Sequence, residues 1–88
     1  MQVDQSDLGE ITKRLRRAEG QIRGVIAMLE AGRDCSEVVT QLAAVARAID
    51  RAGFKIIASG LQQCMAAPEG SGRQADLEQM EKLFLTLA

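Results

Sequence analysis

From Cys35 to Ala66 no proline and no cluster of turn residues interrupts a helical pattern of apolar positions. A helix over that stretch, from Cys35 or Ser36 to Ala66, holds about 31 residues and spans roughly 46 Å, far beyond the mean helix. Val38, Leu42, Val45, Ile49, Ala52, Gly53, Ile56 and Gly60 form its apolar stripe. Ala43, Ala44, Ala46, Ala48, Ala52 and Gly53 let neighbouring helices approach closely. Gly53 and Gly60 each weaken the helix by up to about 1 kcal/mol relative to Ala, without breaking it. In a chain of 88 residues, so long a helix is expected to pair with a partner chain, because small chains gain stability by oligomerising.

The rest of the chain is helical too. A first helix is expected at about residues 7–30, with Ile11, Leu15, Ala18, Ile22, Val25, Ile26 and Leu29 at i, i+3, i+4, i+7 spacing. Ser6 or Asp7 can act as its N-cap, with Glu10 three residues after Asp7, and Gly32 is a stop signal. Residues 31–34 link it to the long helix at about 36–66. Pro68, Gly70, Ser71 and Gly72 mark a linker, and a third helix at about 74–87 carries Leu77, Met80, Leu83, Phe84 and Leu87. There is no strand-like alternation and no internal repeat. The fold class is all-α, in a single domain covering residues 1–88. Phe54 and Phe84 are the only aromatic residues, so Ala, Leu, Ile and Val must build the core.

The net charge is −1, but its distribution is uneven. Lys13, Arg14, Arg16, Arg17 and Arg23 cluster on the first helix, opposite its apolar arc, with only Glu19 among them. Arg47, Arg51 and Lys55 recur at i, i+4, i+8 on the polar side of the second. Such cations are either a solvated face or a phosphate-binding surface, since Lys and Arg supply the counterion-releasing contacts that dominate affinity for nucleic acid. No helix-turn-helix or zinc-finger signature is present. DNA binding would therefore use a flat surface assembled from several subunits. No stretch approaches the roughly 20 apolar residues of a membrane span. The acidic, polar N-terminus lacks the pattern of a secretory signal. A cytoplasmic location with reduced thiols is expected.

The chain contains no histidine, which removes Ser-His-Asp and Cys-His catalysis and every imidazole metal site. There is no Gly-rich phosphate loop, and surface solvation accounts for the carboxylates. An enzyme is not expected. Cys35 and Cys64 remain, about eight turns and roughly 43 Å apart on one helix. A disulfide needs Cα atoms within about 7 Å, so they cannot meet within one chain. Two copies of the helix packed antiparallel would bring Cys35 of each to Cys64 of the other, twice over by symmetry. The alternative is that both are small buried hydrophobes. Cys35 lies at the positive end of a helix dipole, a setting that favours a reactive thiolate.

The run Arg14-Leu15-Arg16-Arg17-Ala18-Glu19-Gly20-Gln21-Ile22-Arg23-Gly24, then Asp34-Cys35, then Thr40-Gln41-Leu42-Ala43-Ala44-Val45 resembles the copper-sensing operon repressor (CsoR) family. The likeness covers about residues 8–66, and the third helix more loosely. It implies a three-helix subunit, an antiparallel four-helix-bundle dimer and a homotetramer built as a dimer of dimers. It implies an operator-DNA-binding repressor that releases DNA when an inducer reacts between subunits. Arg14 and Arg51 match the family's DNA contacts most directly, with Arg16, Arg17, Arg47 and Lys55 as helpers.

The family's copper sensors hold Cu(I) by a Cys and by a His and a Cys of the partner subunit. Cys35 and Cys64 match the cysteines, whereas Gly60 stands where the His belongs. The nickel and cobalt sensors need several histidines, and the formaldehyde-sensing branch usually lacks the second Cys. Two cysteines without histidine are most similar to the persulfide-sensing branch, the CsoR-like sulfurtransferase repressors (CstR). The expectation is thus a repressor of transcription in which reactive sulfur links the sensor thiols Cys35 and Cys64 across subunits, with no metal and no cofactor. The alternatives are a Cu(I)-responsive repressor using two thiolates, and a helical scaffold with inert cysteines.

Overall fold

The computed structural model describes residues 2–88. It consists of three helices, α1 (Gln5–Glu30), α2 (Cys35–Ala66) and α3 (Arg73–Leu87), and the described residues contain no strand. The long helix is thus continuous, at 32 residues.

The helix ends follow from local chemistry. Asp4, rather than Ser6 or Asp7, caps α1. Its backbone is extended (φ −63°, ψ 136°), and its carboxylate accepts the Ser6 N–H and hydroxyl, each at 2.9 Å. Asp34 repeats the arrangement on α2, accepting the Ser36 N–H at 3.1 Å and the Ser36 hydroxyl. Both starts are Asp-x-Ser, and in both the carboxylate satisfies an otherwise orphaned N–H of the first turn. These bonds hold both carboxyls below their usual range, through the Ser6 N–H at Asp4 and the Ser36 hydroxyl at Asp34. At the end of α1, Gly32 takes the left-handed conformation (φ 69°). The Arg33 N–H reaches the Met28 carbonyl at 3.0 Å and the Gly32 N–H the Leu29 carbonyl at 3.1 Å, a Schellman stop. Pro68 ends α2 by forcing Ala67 into extended backbone (ψ 146°).

α1 runs antiparallel to α2. Asp4 meets Ser59 (2.8 Å), Glu10 meets Lys55 (3.6 Å), and Val25 packs with Val38. The seam is built from every seventh residue: Ile11, Ala18 and Val25 on one helix, Val38, Val45, Ala52 and Ser59 on the other. Ala18 and Ala52 at its centre leave the backbones little to keep them apart. The hydroxyl of Ser59, 1% exposed, accepts the Asp4 N–H and so anchors the start of α1.

α3 packs on the opposite flank of α2. Met80 is buried, and the Phe54 and Phe84 rings lie 5.6 Å apart. Gly53 explains itself here. A Cβ at this position would lie 2.6 Å from Leu87 Cδ2, closer than carbon atoms tolerate, so its absence admits the end of α3.

The helices lie side by side with α2 in the middle, in a slab of 57 × 24 × 12 Å. Its smallest dimension is that of a single helix, about 10–12 Å. The radius of gyration, 17.0 Å, exceeds the roughly 12 Å of a compact chain this long. The accessible surface, 6438 Å², likewise exceeds the roughly 5,000 Å² of a compact monomer. A single layer cannot bury both faces of its helices. Leu15, Ile22, Ile26 and Leu29 on α1 and Val39, Leu42 and Ile49 on α2 all remain exposed. The apolar arcs foreseen on each helix are thus split between the seam and this open face.

Candidate nucleic-acid interface and sensor thiols

The α1–α2 hairpin has two unlike edges. At about 100° per residue, the exposed apolar residues lie to one side of the seam, and Arg14, Arg17 and Gln21 lie to the other. On that second side they face Ala44, Arg47, Ala48 and Arg51 across a groove of about 270 Å³. Four guanidinium groups converge there because two arginines on each helix fall one turn apart. The two alanines keep the floor of the groove open. Planar guanidinium forks spaced along a groove suit phosphate oxygens.

Four of the six expected DNA-contacting residues are therefore brought together. Lys55 extends the row along α2 and pairs with Glu10 at 3.6 Å. Arg16 is not in the groove. It lies with Gly9, Thr12 and Lys13 around a separate hollow that Arg17 also borders. The α1 cations fan over the side away from the apolar arc, and Arg17 borders both hollows. Arg14 and Arg17 flank the seam, whereas Lys13 and Arg16 turn away from it.

Glu10 matters more here than its place near the start of α1 suggested. Its carboxylate accepts from Arg14 Nη2 at 3.1 Å and Nε at 3.4 Å. The Arg14 hydrogen bond, then the Lys55 charge, hold Glu10 below the usual carboxylate range. Ser59 and Asp4 were not singled out by sequence, and Ala44 and Ala48 were read only as small residues that let helices approach, not as the floor of a groove. Ser59 leaves no pattern because one hydroxyl in an apolar register looks like any surface serine.

The cysteines occupy opposite ends of α2. Cys35 is its first residue and is exposed, while Cys64 lies in its last turn and is buried. The two thiols thus sit in unlike environments. Gln2, Val3 and residues of α3 pack near the Cys64 end of α2, whereas Cys35 at the other end is exposed. Beside Cys35, Arg33 and Glu37 form a two-pronged ion pair at 3.0 and 3.2 Å. Gly60, buried one turn before Cys64, borders an apolar hollow of about 400 Å³ with Leu8, Ile56, Met80 and Leu83.

Within the subunit, the described residues bring together no group of three or more Cys, Asp or Glu side chains fit to hold a metal ion. Two thiolates suit a soft ion such as Cu(I), but the imidazole that would complete a trigonal set has no counterpart in a chain without histidine. Nickel, which favours nitrogen donors, does not fit this donor set. No helix among the described residues is long and apolar enough to cross a membrane.

The profile of the family described as "Metal-sensitive transcriptional repressor" matches residues 7–86. The chain belongs to that family. Its curated relatives include the copper-sensing transcriptional repressor RicR of Mycobacterium tuberculosis, 37% identical over 60 residues, covering 68% of this chain and 62% of that protein. The chain thus matches less than two thirds of that relative. The copper-sensing transcriptional repressor CsoR of Bacillus subtilis is 34% identical over 74 residues, covering 82% of this chain and 73% of its own length. Among solved structures, the nickel-responsive transcriptional regulator InrS superposes with a TM-score of 0.81 at 34% identity, covering 97% of both chains. This member of the metal-sensitive repressor family thus shares its fold with a nickel-responsive regulator, and it contains no histidine.

Proposed function

We propose that this protein is a DNA-binding transcriptional repressor whose inducer is reactive sulfur, acting on Cys35 of one subunit and Cys64 of its partner. The observation that carries the reading is the donor set. Two cysteines stand at opposite ends of one 32-residue helix, the chain has no histidine, and Gly60 occupies the turn before Cys64. Repression itself is supported by family membership and by the groove of Arg14, Arg17, Arg47 and Arg51. Arg16 and Lys55 supply further cations beside it.

Two copies of the hairpin would pack their exposed apolar faces together as an antiparallel four-helix bundle. This buries Leu15, Ile22, Leu42 and Ile49 and leaves the arginine grooves outside. Two such dimers form the expected tetramer. Antiparallel packing sets Cys35 against Cys64 of the partner subunit. The Cys35 thiolate attacks the sulfane sulfur of a hydropersulfide, forming a Cys35 persulfide and releasing a thiolate. The partner's Cys64 thiolate then attacks the inner sulfur of that persulfide. A disulfide forms and hydrosulfide leaves, so two thiols are oxidised and one sulfane sulfur is reduced. The covalent tether biases the assembly towards a shape whose grooves no longer match DNA.

A Cu(I)-responsive repressor is the second reading, favoured by the copper-sensing relatives and by the softness of two thiolates. The discriminating experiment measures operator release after addition of an organic hydropersulfide, and separately after Cu(I). Release by persulfide, abolished in Cys35→Ala, supports the proposal. Release by stoichiometric Cu(I) alone overturns the sulfur reading in favour of copper.

A further inference from the structure

Glu10 stands among the cations of the proposed DNA face as their only ion-pairing partner among the described residues. It holds Arg14 at 3.1 Å and, across the helix pair, Lys55 at 3.6 Å. The Glu10–Arg14 pair has the favourable i, i+4 order, acid before base. One oxygen faces each cation, so the carboxylate bridges Arg14 and Lys55. Arg17, Arg47 and Arg51 make no ion pair among the described residues, and they remain open to a ligand.

We propose that Glu10 is a built-in competitor for DNA, engaging Arg14 and Lys55 until phosphate oxygens displace it. The inference rests on the DNA-binding reading given above. When DNA docks, the carboxylate loses both partners and lies beside the phosphate backbone as a like charge. Binding to any duplex is weakened, and only a sequence that adds base or shape contacts overcomes the loss. The same carboxylate re-engages Arg14 and Lys55 as DNA leaves, which favours complete release once the inducer has acted. The Arg14 hydrogen bond, then the Lys55 charge, hold the Glu10 carboxyl below its usual range, so the competitor is charged at neutral pH.

The test uses the full chain and a fluorescein-labelled mixed-sequence DNA duplex, with anisotropy titrations over a series of KCl concentrations. Glu10→Gln keeps the side chain's shape and removes its charge. It is expected to tighten binding at least tenfold near 100 mM KCl. It should also steepen the slope of log K against log salt by up to about 1.8 per subunit in contact, about 0.9 for each phosphate newly engaged. In a Lys55→Gln background the tightening should shrink, because one of the two restrained cations is gone. Circular dichroism checks that each variant is folded. Unchanged or weaker binding by folded Glu10→Gln, with the wild type binding, overturns the competitor role alone. Absence of binding by both proteins overturns the DNA reading and this inference with it.

Discussion

Leu42→Glu tests what the exposed apolar face is for. In the isolated subunit Leu42 is 53% exposed, so a carboxylate there meets water and the hairpin should fold unchanged. In the proposed bundle the same position is covered by the partner subunit. Full burial of a leucine is worth about 1.5–3 kcal/mol. The exposed half therefore contributes about 1 kcal/mol per copy, and two-fold symmetry doubles it. Each carboxylate also loses hydration at the interface, a penalty of several kcal/mol per ion when unpaired. Even a conservative total of about 4 kcal/mol weakens association about a thousandfold. Sedimentation velocity across a concentration series reads this as a shift from oligomer to monomer. Thr40→Glu, on the outer side of the same helix, controls for added charge. A folded Leu42→Glu protein that associates as tightly as wild type would refute the assignment of this face.

Other expectations follow from single contacts. Ser59→Ala leaves the Asp4 N–H without its acceptor and should cost about 1–3 kcal/mol of stability, seen as a lower thermal midpoint. Arg51→Ala and Arg47→Ala should weaken binding to DNA and lower its salt dependence by about one unit per lost phosphate contact, with an unchanged circular dichroism spectrum; retained affinity would count against the groove. Asp4, Glu10, Asp34 and Glu37 all have depressed carboxyl pKa values. Their stabilising effect is therefore present above the ordinary carboxylate range and is lost as pH falls through it. A thermal midpoint that drops between about pH 5 and 2, more steeply at low salt, checks the sign. Gly60→His restores the missing imidazole one turn before Cys64 and should tighten Cu(I) binding in a competition titration; no gain would show that the turn cannot present a ligand.

The architecture was legible where the pattern was strong. The uninterrupted run from Cys35 to Ala66, Gly32 as a stop and Pro68 as a breaker all state local backbone preferences, and each helix formed within two residues of its expected bounds. The start of α1 was misplaced because Ser6, Asp7 and Glu10 mimic a capping box, while Asp4 caps through an Asp-x-Ser turn that also occurs at Asp34. Periodicity located the apolar arcs but could not divide them, because seam and open face differ by only a fraction of a turn. The Ile11–Ala18–Val25 line and the Leu15–Ile22–Leu29 line look alike in sequence. For the same reason the six cations read as a list, whereas the antiparallel register groups Arg14 and Arg17 with Arg47 and Arg51 and sends Arg16 elsewhere. Glu10 and Ser59 act across the helix pair, at sequence separations that carry no periodic signal. The cysteines were legible through distance alone, since one helix keeps them roughly 43 Å apart.

The central claim is that Cys35 and Cys64 of two subunits form one sensor. Intact-protein mass spectrometry after treatment with an organic hydropersulfide tests it most directly. The expected product is a covalent pair of subunits joined through Cys35 and Cys64, directly or with added sulfur atoms, and absent in Cys64→Ala. Monomer masses that stay unchanged in the wild type, or a cross-link that survives Cys64→Ala, would contradict it.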